Sequence, residues 1–199
     1  DAGLLLSPDS PPLLSQRGTF RLIAGDPEGA VEDLRAALAL NPEFIEARVR
    51  LAELLAQSKG ADEGRAVIEE GLALMPDAPP LIAQRGVLSL VAGDPDGAIE
   101  DLQRALTLDP SLAAARDQLW RLLMELNRGA ESARVIREGL LLDGAPVVLR
   151  AHLAQVLFMT GDRDGAAAEA RRLAAEAGDN AALLQVAREV LRAAGFAAE

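Results

Sequence analysis

Five polar residues recur at one fixed interval. Gln16, Arg50, Gln84, Gln118 and His152 stand 34 positions apart, and Gln185 extends the series if one residue is inserted near Gly178. Amide, guanidinium and imidazole groups in such a column supply hydrogen-bond donors and acceptors at a regular spacing. That pattern suits the backbone of an extended peptide, whose own N–H and C=O groups recur regularly. The alternative is a solvated face that also bonds between neighbouring units. Beside the column, Leu22, Ala56, Leu90, Met124 and Phe158 recur at the same interval, followed by Ile23, Val91 and Met159 one place on. These are either core residues at helical spacing or the walls of a groove, with Met124, Phe158 and Met159 as its strongest candidate anchor.

Catalysis finds little material. His152 is the single histidine, there is no Cys and no Tyr, and no nucleotide-binding glycine loop or metal-ligand cluster is present. The stretches "GDPDGA" and "GDRDGA" lack the alternating oxygen ligands and closing bidentate Glu of a calcium loop, and read as helix caps. The expectation is therefore a non-enzymatic chain with no catalytic residue, cofactor or metal. Asp plus Glu number 31 against 20 Lys plus Arg, a net charge of −11. Such a surface repels phosphate backbones and anionic membranes, which argues against nucleic-acid and membrane partners. The apolar runs are too short to span a membrane. The absence of Cys leaves bacterial cytoplasm and periplasm equally open.

The spacing itself implies the elements that carry these residues. "AGDPEGAVEDLRAALALNP" from Ala24 returns as "AGDPDGAIEDLQRALTLDP" from Ala92, 68 positions later, and Pro8, Pro42, Pro76 and Pro110 mark the half-period. Each unit holds two stretches of helical periodicity split by a breaker. In "AGDPEGA", Gly25 closes the first helix, Asp26 caps the second and Pro27 suits its first turn. Counting from Pro11, small residues hold three fixed places. The eighth is Gly18, Ala52, Gly86, Trp120 and Ala154; the twentieth is Ala30, Gly64, Ala98, Ser132 and Ala166; the twenty-seventh is Ala37, Gly71, Ala105 and Gly139.

Small residues at those places, Gly-Asp midway and Pro at the end resemble the tetratricopeptide repeat (TPR) family, in a bacterial-type array. The resemblance implies an all-α fold: a right-handed solenoid of antiparallel helix hairpins, the TPR superhelix, whose first helices line an inner surface. It divides the chain into the end of a preceding repeat (1–10), full repeats at 11–44, 45–78, 79–112, 113–146 and 147–180, and the first helix of a further repeat (181–199). The chain is thus expected to be a fragment of a longer solenoid. TPR domains that hold chaperone tails by their terminal carboxylate use a Lys, Asn and Arg clamp. The matching places here are Ser15, Thr19, Arg50, Pro80 and Gln84, of which only Arg50 has the charge.

Alternation between odd and even repeats adds a structural expectation. The seventh place is Arg17 and Arg85 in odd repeats but Leu51 and Leu119 in even ones; the twenty-third is Asp33 and Asp101, then Val67 and Val135. Facing each other across a hairpin, they predict ion pairs Arg17–Asp33 and Arg85–Asp101. The fifth repeat, with Leu153 and Glu169, should lack one. Trp120, where other units hold Gly or Ala, should either wedge the helices apart or swing to the surface.

The leading functional expectation is a scaffold that binds a protein or peptide partner in a concave groove. A second is a segment of an outer-membrane exopolysaccharide secretion protein that recruits enzymes or guides the polysaccharide. A third is a passive spacer or self-assembling array.

Overall fold

The computed structural model describes residues 10–197, so the preceding half-helix expected at 1–10, with Gly3 and Pro8, lies outside them save for Ser10. The elements among the described residues are α-helices: α1 (Pro11–Ile23), α2 (Pro27–Leu40), α3 (Ile45–Lys59), α4 (Ala61–Leu74), α5 (Pro79–Val91), α6 (Pro95–Leu108), α7 (Ala113–Glu125), α8 (Gly129–Leu140), α9 (Val148–Met159), α10 (Arg163–Glu176) and α11 (Ala181–Ala194). They fall into two compact units divided after Asp109. Within the first, α1 to α6 pack as three successive hairpins; within the second, α7 to α10 form two hairpins and α11 packs on α10.

Local chemistry places the breaks. The side chains of Asp26, Asp94 and Asp162 each accept a hydrogen bond from the backbone N–H three residues on, at 2.9 Å, which satisfies an orphan donor of the helix start. The residue before each cap turns left-handed: Gly25, Gly93 and Gly161 have φ of 82°, 83° and 90°. Asn127 takes the same place with φ 58°, a conformation its short side chain tolerates. Asn180 caps α11 and Gly195 closes it, each five spacings of 34 beyond Ser10 and Gly25. No inserted residue is therefore needed near Gly178. Val186 falls at the sixth place of the series and Gln185 one place before it.

The small residues mark where helices touch. Ala30, Ala52, Ala98, Ser132, Ala154 and Ala166 are essentially inaccessible. A Cβ on Gly64 would lie 2.5 Å from the carbonyl oxygen of Ala52, and one on Gly86 would lie 3.1 Å from that of Ala98. Leu, Ile and Val then fill the layers on either side, with Ile68, Leu81, Leu102, Leu119, Ile136 and Leu153 wholly enclosed.

Gly71 and Gly139 have a different reason. In the even repeats a buried arginine, Arg48 or Arg116, lies across them: a Cβ on Gly139 would sit 2.6 Å from the Arg116 side chain. Arg48 donates to the carbonyl oxygens of Pro42 and Val67, and Arg116 to that of Pro110. These guanidinium groups tie the loop before each first helix to the hairpin, and only glycine leaves room for them.

Gly64→Ala tests the close approach. Alanine favours a helix by about 1 kcal/mol over glycine, yet overpacking against an immobile carbonyl costs roughly 1–3 kcal/mol. The expected outcome in urea unfolding is a net loss, with an unchanged m-value.

Candidate functional site

The sixth-place side chains all lie on first helices, Gln16, Arg50 and Gln84 on α1, α3 and α5 of the first unit. Gln118 and His152 sit on α7 and α9 of the second; Gln185, one place before the sixth, is on α11. Their surroundings differ. Gln16, Gln84 and Gln118 make no side-chain hydrogen bond among the described residues. Arg50 pairs with Glu46 at 3.0 Å and donates to the Thr19 hydroxyl at 2.9 Å, which ties α3 to α1. Gln185 donates to Glu189 on its own helix.

Two hollows meet at Arg50. One is a small solvent-open cleft of about 100 Å³ between α1 and α3, floored by Gly18 and Ala30 and walled by Leu22, Leu54, Glu53 and Gln57. The other adjoins Gln16, Leu13, Phe20 and Glu46. Partial burial pushes the Glu53 carboxyl above the usual carboxylate range, and the nearby Arg50 charge works against that rise. Of the places resembling the carboxylate clamp, Ser15 is buried and Thr19 bonds back to the Ser15 carbonyl oxygen.

The apolar series divides. Met124 and Phe158 pack against the core of the second unit, whereas Met159 is 71% exposed. Leu22 is 48% exposed, with Ile23 and Val91 more so, and Leu90 is half-buried. The Met124, Phe158 and Met159 group is thus two half-buried residues packed against the core beside one exposed one.

Trp120 takes neither of its expected courses in full. It is half-buried, and its ring packs on the His152 imidazole across from α7 to α9, with centroids 4.9 Å apart and planes at 30°. Its indole N–H donates to Asp117 at 3.0 Å. Ser132, fully buried opposite, donates its hydroxyl to the Trp120 carbonyl oxygen at 2.9 Å. The hydroxyl that looked too polar for this place satisfies a backbone acceptor. The partnership joins the eighth place of one repeat to the sixth place of the next, a juxtaposition that spacing within one repeat does not show.

Charges are handled structurally. Arg17 donates through Nε to Asp33 Oδ2 at 2.8 Å and through its second nitrogen to Oδ1; Arg85 holds Asp101 by the same two-pronged contact at 2.8 and 2.7 Å. Arg21 adds a second cation beside Asp33, at 3.3 Å. These hydrogen bonds raise the Arg17 and Arg85 guanidinium pKa values above their ordinary range. The fifth repeat, expected to lack a pair, has one from another direction. Arg150, at the place of Arg48 and Arg116, reaches Glu169 at 2.6 Å and Glu176 at 2.9 Å, while Arg172 takes the other Glu169 oxygen.

No group of three or more His, Asp or Glu side chains able to hold a metal occurs among the described residues. No described helix is long and apolar enough to cross a membrane.

Comparison with known proteins agrees with this geometry. Residues 21–84 match the tetratricopeptide repeat family model. No curated protein sequence matches the chain. Among solved structures, yeast Tom70 superposes with a TM-score of 0.79 at 22% identity, over 97% of this chain and 42% of that one. A thermophilic TPR protein of Thermus thermophilus gives 0.62 at 17% identity, over 92% and 100%. A tetratricopeptide repeat protein from Parabacteroides merdae gives 0.65 at 18%, over 93% and 73%. The chain has the fold of the tetratricopeptide repeat structures it resembles, an all-α stack of helix hairpins, and its residues 21–84 carry the family's sequence pattern. At these identities the structural likeness establishes the fold.

Asp33→Ala should be costly, because it strips the shared acceptor from Arg17 and Arg21. Both arginines are about one-third exposed, so water recovers part of the loss and the expected cost is roughly 1–3 kcal/mol. The double change Arg17→Leu with Asp33→Val copies the Leu51–Val67 pair and should restore most of the stability, since an apolar pair replaces a buried ion pair at little cost. Thermal unfolding of both variants checks this.

Proposed function

We propose that this chain is a non-enzymatic scaffold that binds a protein or peptide along the exposed side of its first helices. The fold favours an interaction role, since stacked hairpins present one helix surface repeatedly. The observation that carries the reading is the pair of hollows at Arg50. There, exposed apolar Phe20 and Leu22 adjoin Gln16, Arg50, Glu53 and Gln57, so apolar contact and hydrogen bonding are offered together. Gln16 and Gln84 are open to a partner, since no side-chain hydrogen bond engages their amides among the described residues. An extended segment supplies the complementary groups along its backbone.

The test begins with capture of partners from a lysate of the source cells, followed by hydrogen exchange on the purified complex. The expected footprint is slowed exchange along α1, α3 and α5. Combining Leu22→Asp, Arg50→Ala and Gln84→Ala should weaken that complex at least tenfold, about 1.4 kcal/mol, without lowering the melting temperature by more than a few degrees. A footprint confined to second helices would remove the proposal. Salt-sensitive binding of a purified cationic glycan, with no protein captured, would favour polysaccharide handling instead.

A further inference from the structure

We propose that Trp120 and His152 form a pH-sensitive latch, in which the indole covers the neutral imidazole and a second proton on His152 releases it. The inference stands apart from partner binding and can be tested on the isolated chain.

The place it occupies is defined by the repeat. Between α1 and α3, the eighth-place Gly18 and the sixth-place Arg50 line the open cleft. Between α7 and α9, the same two places are Trp120 and His152, and the stacked rings occupy them. Trp120 thus places its ring beside the sixth-place side chain of the next first helix, where the first hairpins leave the cleft lined by Gly18 and Arg50. A tethered ring there competes with anything that would enter, so its release changes what this face offers.

The imidazole is held in a way that favours one protonation state. Its Nδ1 is buried and has no hydrogen-bond partner among the described residues, so a neutral ring with its single proton on Nε2 avoids an unmade buried donor. The second proton must go to Nδ1, creating a buried cationic N–H with no acceptor. A buried donor left unmade costs more when charged. Among the described residues, the charged groups that act on the ring are Asp117 and Arg121 of α7; α8, α10 and α11 contribute none. Asp117 attracts the cation, but its Oδ1 is engaged by the Trp120 indole N–H. Arg121 repels it and already lies 5.6 Å from the indole centroid, so the ring carries one cation–π contact before His152 is charged. Burial is the largest effect and holds the imidazole below its ordinary pKa. The cation is relieved if the ring turns Nδ1 outward or draws Asp117 from Trp120. Either movement breaks the stack.

Linkage gives the direction for stability. With a depressed folded-state value, the closed latch contributes fully above about pH 6.5, the unperturbed imidazole value. Its contribution falls as pH drops through the folded-state value.

One histidine and one tryptophan in a chain without tyrosine make the experiment unambiguous. The His152 ring is titrated by NMR while Trp120 emission is followed over the same pH range. The expected result is a ring midpoint below about 6.5, with the emission changing at that same midpoint. In His152→Phe, which keeps a stacked ring but cannot titrate, the emission step should vanish. In Trp120→Ala, which removes the ring packed on the imidazole and so lessens its burial, the midpoint should rise towards the ordinary value. If His152→Phe fails to fold, Asp117→Asn serves: loss of the attracting charge should lower the midpoint further. A midpoint at or above about 6.5 would mean that the proton tightens the stack by cation–π attraction, and would overturn the latch. So would emission that stays flat through the ring titration, or a midpoint unmoved in both Trp120→Ala and Asp117→Asn.

Discussion

Everything in this molecule follows from how closely the two helices of a hairpin approach. Backbone carbonyls stand where a methyl group would be, as the contacts at Gly18, Gly64 and Gly86 show. Such an approach leaves no room for side chains between the helices, so the larger apolar residues are forced to the flanks, where they pack against the neighbouring hairpin. The same constraint makes a single hairpin incomplete, because its flanks are buried only by stacking. Leu81 and Ile82 in the first unit, and Val156 and Leu157 in the second, are buried in this way.

Charge is then accommodated around the seams in three patterns. Odd repeats grip an aspartate with an arginine on the facing helix, as Arg17 holds Asp33. Even repeats replace that pair by Leu and Val and use a buried arginine elsewhere, lying over a glycine and bonding backbone carbonyls, as Arg48 does over Gly71. The fifth repeat is a hybrid. It carries the apolar Leu153 of the even type and an acid of the odd type, Glu169, and the arginine that answers that acid, Arg150, stands at the even-type position. In each pattern the buried charge meets an opposite charge or backbone carbonyls, which offsets the cost of taking it out of water.

Trp120 shows what the close approach does to an intruder. An indole cannot lie between α7 and α8, so it leaves the seam, bonds Asp117 and spreads over His152 on the next first helix. Ser132 takes up the carbonyl that the displacement leaves in the interior. A repeat-level exception thereby becomes a contact between repeats, from α7 to α9.

The sequence alone determined the helix count per unit, the breaks at Gly-Asp, the small-residue seams and the pairing of Arg with Asp. Each of these depends on residues a few places apart or one hairpin apart, and the 34-residue period displays them several times over. It also marked the sixth-place column, but not which members were free. Whether Arg50 reaches Thr19, or Gln84 reaches nothing, depends on the distance between adjacent first helices. Tertiary structure likewise decided that Met124 and Phe158 pack half-buried against the core while Met159 does not, that Arg150 answers Glu169, and that Trp120 packs on His152. All of these join side chains on different helices, and their outcome rests on a rotation or displacement smaller than one side chain. Periodicity locates a residue on a helix face; only the packed neighbours determine what that face meets.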